Sequence, residues 1–239
     1  MTKFVPFLTK DHIEAEADAL LSSYGQKVGT ITRPPIPVDE ILNTHLKVGL
    51  DFDDLPKLLG VEADVFGATW LERRQVIIDQ SLDPTDHPER IGRYNFTVGH
   101  ETGHWQLHRA YFFKACNQQA LFDQEPAPTV VCRSSESKDR IEWQADFFSS
   151  CFLMPKLMLR ESWKKRHGSE CISIEELRRT MSNDSRYAET ISDDAMIERF
   201  CKPMSHDFQV SPIAMRIRLE TLGMIVRAEA PRLFALRSS

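Results

Sequence analysis

Three histidines and a glutamate lie within ten residues of this 239-residue chain, in the stretch "GHETGHWQLH" at 99–108. Five of these residues, 100–104, match the pattern HExxH. On an α-helix, residues four apart are separated by only about 40° around the axis, so His100 and His104 can direct their imidazoles at one point. Glu101 lies beside them, where it can act as a general base rather than as a ligand. The pattern therefore predicts a helix that carries two metal ligands and a base.

A catalytic zinc site needs a third protein ligand and keeps a fourth position for water. Glu142 and Asp146 lie four residues apart in "IEWQAD", on one face of a second predicted helix. Glu142 can complete a set of two histidines and one carboxylate, and Asp146 can accept a hydrogen bond from a ligand imidazole. The alternative is a chance HExxH pattern beside a solvated acidic face. Because this helix is rich in bulky apolar residues, where burial of unpaired charge is costly, we favour the metal site.

The elements in the first half of the chain predict an α+β fold. A capping box that begins at Asp11 predicts an amphipathic first helix. The segment "KVGLDF" is strand-like, and "VFGATWL" and "QVIID" together predict an antiparallel hairpin. The helix that carries HExxH is expected to begin near Pro88. We therefore expect a small antiparallel or mixed sheet that packs on the active-site helices.

The second half of the chain is expected to be mostly helical. The segment 109–140 has a weak pattern and is interpreted as an exposed excursion. The second predicted helix ends at Met154, because Pro155 disfavours a helical conformation for the residue before it. The late stretch "HDFQVSPIAMRIRLETLGMIV" has the small residues and apolar spacing of a helix-turn-helix.

Charge and composition argue against several functional classes. The formal net charge is -5, so no overall positive field draws the protein to nucleic acid or to anionic lipid. No apolar run approaches the length of a membrane span, and the N-terminus lacks a basic segment followed by an apolar one, so we expect a cytoplasmic protein. The five cysteines are well separated and form no CxxC pair, which suggests neither a disulfide framework nor a thiolate zinc site.

In combination, three segments resemble the ImmA/IrrE-type zinc metallopeptidases, bacterial proteins encoded beside helix-turn-helix repressors. The resemblance extends over about 37–223, and the segments are "YNFTVGHETGHWQLH", "IEWQADFFSSCFLMP" and "FQVSPIAMRIRLETLG". It implies that His100, His104 and Glu142 hold the metal, which is zinc or alternatively manganese, and that Glu101 activates water. Gly99 stands where the family usually has alanine, and Asp146 where asparagine is also common.

The resemblance also implies a fold and a substrate. It predicts a zincin-like metallopeptidase domain at 1–165, followed at 166–239 by a mostly helical region with a helix-turn-helix-like unit. The implied activity is cleavage of a helix-turn-helix transcriptional repressor at a specific site, rather than broad protein degradation. Such cleavage would regulate transcription in a stress response, a mobile element or a toxin–antitoxin-like system.

Two other functions are compatible with the same residues. One is a DNA-binding regulatory protein whose zinc site is structural, although the acidity of the chain argues against it. The other is a protein that binds its repressor without cleaving it, which the intact Glu101 disfavours. The sequence leaves open which residue stabilises the oxyanion, with four candidates: His108, Tyr111, His206 and Arg218. It also proposes "VFGATWL" or "QVIID" as the sheet edge that pairs with an extended substrate.

Overall fold

The computed structural model describes residues 5–62, 64–116, 130–133, 140–182 and 191–227. These residues combine a small mixed sheet with helices, so the predicted α+β class is confirmed. The strands of the main sheet are β1 (Gly49–Asp53), β2 (Val65–Trp70), β3 (Gln75–Asp79) and β4 (Val130–Arg133). Their spatial order is β1-β3-β2-β4.

The N-terminal part contains the α-helices α1 (Lys10–Val28), α2 (Val38–Glu40) and α3 (Leu55–Leu59), and α2 continues into a π turn at Ile41–His45. The predicted first helix is present, but its N-cap is Thr9 rather than Asp11. The Thr9 side chain accepts a hydrogen bond from the backbone N–H of His12, whereas Asp11 lies inside the first turn. A hydroxyl in this position satisfies one of the backbone N–H groups that a helix start leaves without a partner.

Two long helical segments form the centre of the molecule. The first comprises α4 (Ile91–Gly103), a π turn at His104–His108, and α5 (Arg109–Cys116). The second is α6 (Arg140–Leu153). It ends one residue before Met154, the end that Pro155 predicts.

The C-terminal part is mostly helical, with α7 (Lys156–His167), α8 (Ile174–Ser182), α9 (Asp193–Asp207) and α10 (Pro212–Thr221). Two short strands, β5 (Ile172–Ser173) and β6 (Ile225–Val226), pair in parallel. The turn between α9 and α10 spans four residues, and Ser211 caps α10 by accepting a hydrogen bond from the backbone N–H of Ala214.

The pairing within the main sheet corrects two expectations. β2 and β3 are antiparallel, as the hairpin prediction states, but β1 pairs with β3 in parallel and β4 pairs with β2. β2 and β3 are therefore the two central strands, and the proposal that either is a sheet edge is wrong. β4 lies within the segment that we interpreted as an exposed excursion. Most of that segment, 117–129 and 134–139, lies outside the described residues.

The sheet and the helices share a hydrophobic core that extends from α1 to β6. Val98 on α4 and Phe148 and Phe152 on α6 are fully buried in it. Complete burial of such side chains stabilises the fold by about 1.5–3 kcal/mol each. The α4 helix contacts both β2 and α6, and this arrangement holds its residues 97–104 in the interior.

Candidate metal centre

Two glycines on α4 allow this helix to approach α6 closely. A Cβ atom on Gly99 would lie 2.5 Å from the Ser149 Oγ atom, and one on Gly103 would lie 3.1 Å from the Ala145 Cα atom. Bulkier residues would push the two helices apart. Because Glu142 lies three residues before Ala145, the close packing also brings its carboxylate to the histidines of α4.

His100, His104 and Glu142 converge on one point. The Nε2 atoms of the two histidines are 2.9 Å apart. The Glu142 carboxylate lies 3.2 Å from His100 Nε2 and 3.4 Å from His104 Nε2. Each of these residues offers one ligand atom, and the three ligand atoms all lie within 4.8 Å of one another. This group of two imidazoles and one carboxylate can hold a metal ion.

The other ring nitrogen of each histidine also has a partner. His100 Nδ1 lies 2.8 Å from the Asp146 carboxylate, which is the contact that the sequence predicts for Asp146. His104 Nδ1 lies 3.0 Å from Nδ1 of His108. An ionised carboxylate only accepts hydrogen bonds, so Nδ1 of His100 carries a proton and donates a hydrogen bond to Asp146, which leaves Nε2 as the atom directed at the metal group.

The charge state of the group suits a divalent cation. Burial lowers the pKa of His104 to about 4, so its imidazole is neutral near pH 7. Burial favours the neutral form of Glu142, but its close contacts with the imidazoles of His100 and His104 outweigh this effect and hold the Glu142 pKa well below its usual range. The result is a carboxylate beside two imidazoles, and a cation between them would be stabilised by all three groups.

Glu101 lies against β2, where its carboxylate contacts Thr69 and approaches Gly67. Its side chain is fully buried, and Oε2 accepts a hydrogen bond of 2.5 Å from the Thr69 hydroxyl. Among the described residues, Oε1 has no hydrogen-bond partner. Burial raises the pKa of Glu101 to about 7, despite the opposing effects of His100 and the Thr69 hydroxyl. A carboxylate with this pKa can both take up and release a proton near neutral pH.

Gly67 on β2 leaves the room that Glu101 needs. A Cβ atom on Gly67 would lie 2.6 Å from Glu101 Oε1 and 2.9 Å from the Thr97 Cγ2 atom. Sequence reasoning assigned no role to Gly67 or to Thr69. No local pattern in the sequence identifies these two residues, because Gly67 is 34 positions and Thr69 is 32 positions before Glu101 in the chain.

The four oxyanion candidates lie in different parts of the fold. His108 is buried beside His104, whereas Tyr111 and His206 are exposed on α5 and α9. Arg218 is buried and holds α10 to α1 and to the residue that follows α6: it donates hydrogen bonds to the Glu14 carboxylate and to the carbonyl of Met154. These contacts give Arg218 a role in packing, and only His108 contacts a residue of the metal group.

Comparison with known proteins is consistent with this geometry. A sequence model of the M78 peptidase family, described as an IrrE N-terminal-like domain, matches residues 59–220. The match covers more than half of the chain and includes every residue of the site described above. No curated protein matches the chain. Among the helices that the structure describes, none is both long and apolar enough to cross a membrane.

Proposed function

The chain belongs to the M78 peptidase family, with an IrrE N-terminal-like domain, and from this membership we propose that it is a zinc-dependent endopeptidase. Its proposed substrate is a helix-turn-helix transcriptional repressor, cleaved at a specific site in the cytoplasm. The observation that carries the proposal is the convergence of His100, His104 and Glu142, with Glu101 next to His100 in the chain and close enough to it to be affected by its charge.

The metal would be held by Nε2 of His100, Nε2 of His104 and the Glu142 carboxylate. When bound, a zinc ion supplies Lewis-acid chemistry: it lowers the pKa of water and polarises the scissile carbonyl. Three protein ligands leave a coordination position for the reactants, which distinguishes a catalytic site from a closed structural one. Manganese is an alternative occupant of the same ligands.

Glu101 is the proposed general base and acid. Its Oε1 atom, which has no partner in the described part of the chain, would take a proton from the attacking water and later deliver it to the leaving amine. The hydroxyl of Thr69 holds the other oxygen, which leaves Oε1 for the proposed proton transfers. Burial raises the pKa of Glu101, which favours a carboxyl group able to hold a proton between the two transfers.

An extended substrate would pair with the sheet next to Glu101. β4 replaces β2 and β3 as the proposed pairing strand, because it is the terminal strand beside β2 in the observed order. Backbone pairing would align the scissile peptide without strong dependence on its side chains. We also propose that the domain at 1–165 is zincin-like, and that α9 and α10 form a helix-turn-helix-like unit within 166–239.

The same unit weighs against the alternative of DNA binding. On α10, Arg216 lies near three acidic side chains and Arg218 is buried against Glu14. Ile213 and Ile217 are about half exposed on this helix. A recognition helix normally offers cations and hydrogen-bond donors to the major groove, and on α10 these arginines are already engaged.

The deciding experiment combines metal analysis with a cleavage assay. The purified protein is incubated with the product of a neighbouring repressor gene, and we expect one defined cut that a chelator prevents and zinc restores. Glu101→Gln should retain the metal but lose cleavage by about 10²–10⁴-fold, because general acid–base catalysis is removed. Glu198→Gln, on α9, is the matched control and should cleave normally.

Three results would contradict the proposal. Wild-type protein that holds no metal would exclude the metallopeptidase, and cleavage by Glu101→Gln at the wild-type rate would exclude Glu101 as the base. If the repressor is bound equally by wild type and Glu101→Gln but cut by neither, the protein is a non-cleaving repressor-binding partner. A salt-dependent gel shift with duplex DNA would support the structural-zinc alternative.

A further inference from the structure

A chain of hydrogen bonds connects His104 to the N-terminal segment of the protein. His108 is fully buried, and its Nδ1 lies 3.0 Å from Nδ1 of His104. Its Nε2 lies 2.9 Å from the Gln144 Oε1 atom on α6. Gln144, also fully buried, donates a hydrogen bond of 3.0 Å from Nε2 to the carbonyl oxygen of Pro6. We call His108, Gln144 and the Pro6 carbonyl the relay.

The helix geometry places His108 in the relay rather than among the metal ligands. The α-helix changes into a π turn over His104–His108, so the two histidines lie at its two ends. Such turns widen a helix by one residue and occur frequently at functional sites. His108 is not a member of the group formed by His100, His104 and Glu142. Within the described residues, His108 contacts that group through His104, by the Nδ1–Nδ1 pair and by the two rings.

The relay determines which nitrogen of each ring carries the proton. The Pro6 carbonyl can only accept, so Gln144 directs its NH2 group there and its oxygen at His108. That oxygen accepts a hydrogen bond, which requires the proton of His108 to be on Nε2. A neutral His108 then presents a lone pair at Nδ1 and accepts a hydrogen bond from His104 Nδ1–H. His104 is left with a lone pair at Nε2, the atom that faces His100 and Glu142.

We propose that His108 and Gln144 are positioning residues that hold His104 in the tautomer and orientation needed to bind the metal. The proposal rests on the proposed function, since it treats His104 as a ligand. The two proposed histidine ligands, His100 and His104, therefore have different hydrogen-bond partners. His100 is held by the carboxylate of Asp146 on α6, whereas His104 is held by a neutral imidazole that is itself anchored to the N-terminal segment.

The test compares two substitutions of His108 in the full-length protein. The Oδ1 atom of asparagine occupies nearly the place of Nδ1 in histidine, so His108→Asn keeps an acceptor for His104 Nδ1–H. His108→Leu has a similar size and no acceptor. The dissociation constant for Zn²⁺ is measured by competition with a chromophoric chelator. We expect the leucine variant to bind about 10–100-fold more weakly, the usual effect of losing an outer partner of a ligand, and the asparagine variant to remain close to wild type.

Two further variants and one spectrum complete the test. Gln144→Leu should lie between wild type and His108→Leu, because His108 loses its fixed tautomer but keeps its place. His167→Leu, in a different aromatic contact on α7, is the matched control and should not change the affinity for Zn²⁺. In ¹⁵N–¹H spectra of the zinc-loaded wild-type protein, His104 should be protonated on Nδ1 and His108 on Nε2.

The outcomes separate this proposal from the proposed function. Wild-type protein that binds no Zn²⁺ would overturn the peptidase proposal itself. If wild type binds Zn²⁺ but His108→Leu binds it equally well, or if His108→Asn is as weak as His108→Leu, only the relay is overturned. If His108→Leu does not fold, His108→Gln replaces it, because the glutamine amide reaches the position of Nε2 and leaves His104 Nδ1 without its acceptor.

Discussion

Two clusters of charged and polar side chains in this molecule have opposite character. Around α9 and α10, the guanidinium groups of Arg216 on α10 and of Arg227, which follows β6, lie among three carboxylates, those of Asp194, Glu198 and Glu220. Between α4 and α6, the site contains the carboxylate of Glu142 and two imidazoles. In the first cluster, two arginines pair with the carboxylates. The metal group contains no lysine or arginine, and its ligand atoms converge on a common point.

The histidines of the metal group are more deeply buried than any residue of the arginine–carboxylate cluster. The side chains of His100 and His104 are 3% and 0% exposed, whereas exposure in the other cluster ranges from 14% for Arg216 to 48% for Asp194. Water and salt screen the ion pairs at the surface, so each contributes little to stability. In the interior, unpaired polar groups are costly, and a cluster without its own cation gains much from an external one. A group that binds an added cation thus combines converging ligand atoms with the absence of any lysine or arginine from the group.

Loss of a metal ligand should produce the largest effect. Glu142→Gln removes the only negative charge of the metal group and should weaken Zn²⁺ binding by more than about 100-fold, the upper end of what outer partners contribute. Its counterpart in the surface cluster, Glu220→Gln, should leave the affinity unchanged. The measurement is competition with a chelator. Equal affinities for the two variants would contradict the comparison.

Displacement of the general base should have the second-largest effect. Gly67→Ala places a Cβ atom 2.6 Å from Glu101 Oε1, so that the carboxylate must move. A shift of about 1 Å in a catalytic group can lower the rate by about 10²-fold. Overpacking of this kind also destabilises a fold by about 1–3 kcal/mol. Gly49→Ala is the matched control, because its nearest neighbour would be 3.7 Å away. The rate of repressor cleavage and the thermal unfolding of both variants are measured. If Gly67→Ala cleaves the repressor at the wild-type rate, Glu101 is not the general base.

Removal of one hydrogen bond to Glu101 should have a smaller effect. Thr69→Val leaves both oxygens of the Glu101 carboxylate without a described partner. A hydrogen bond to a charged group contributes about 1.5–3 kcal/mol, so cleavage should fall by about tenfold or more. Thr69→Ser keeps the hydroxyl and should restore most of the activity. If the serine and valine variants have the same rate, the hydroxyl of Thr69 does not hold the base.

The surface cluster should tolerate the loss of its central residue. Arg216→Gln removes three ion pairs, yet we expect the Tm to decrease by only about 2–4 °C, since pairs of this type are weak. Affinity for Zn²⁺ and the rate of repressor cleavage should not change. Calorimetry and the same cleavage assay test this expectation. A large loss of metal would show that the two clusters are coupled and that the contrast between them is wrong.

The parts of the structure that could be predicted depend on residues close together in the chain. His100 and His104 are four apart, so the helix alone aligns them. The end of α6 follows from Pro155, and the antiparallel pair of β2 and β3 follows from two strand-like runs with a short connection. The parallel pairing of β1 with β3 and the position of β4 were missed, because non-local pairing leaves no periodic signal.

The residues around the site divide in the same way. Glu142 and Asp146 were identified because they share a helix face, and both lie against the histidines in the structure. Gln144 belongs to the same short segment but received no role, since its partners His108 and Pro6 come from distant parts of the chain. Thr69 and Gly67 were missed for the same reason.

The amino-acid sequence was sufficient to predict the helix that carries HExxH, the α+β class and the family resemblance, which the family match confirms. These features depend on local geometry and on the order of short segments. Only the folded structure shows that Gly67 makes room for Glu101, that Gly99 and Gly103 let α6 approach α4, and that His108 lies against His104. Such features arise when elements pack at van der Waals distance, and packing between distant segments is a property of the folded chain.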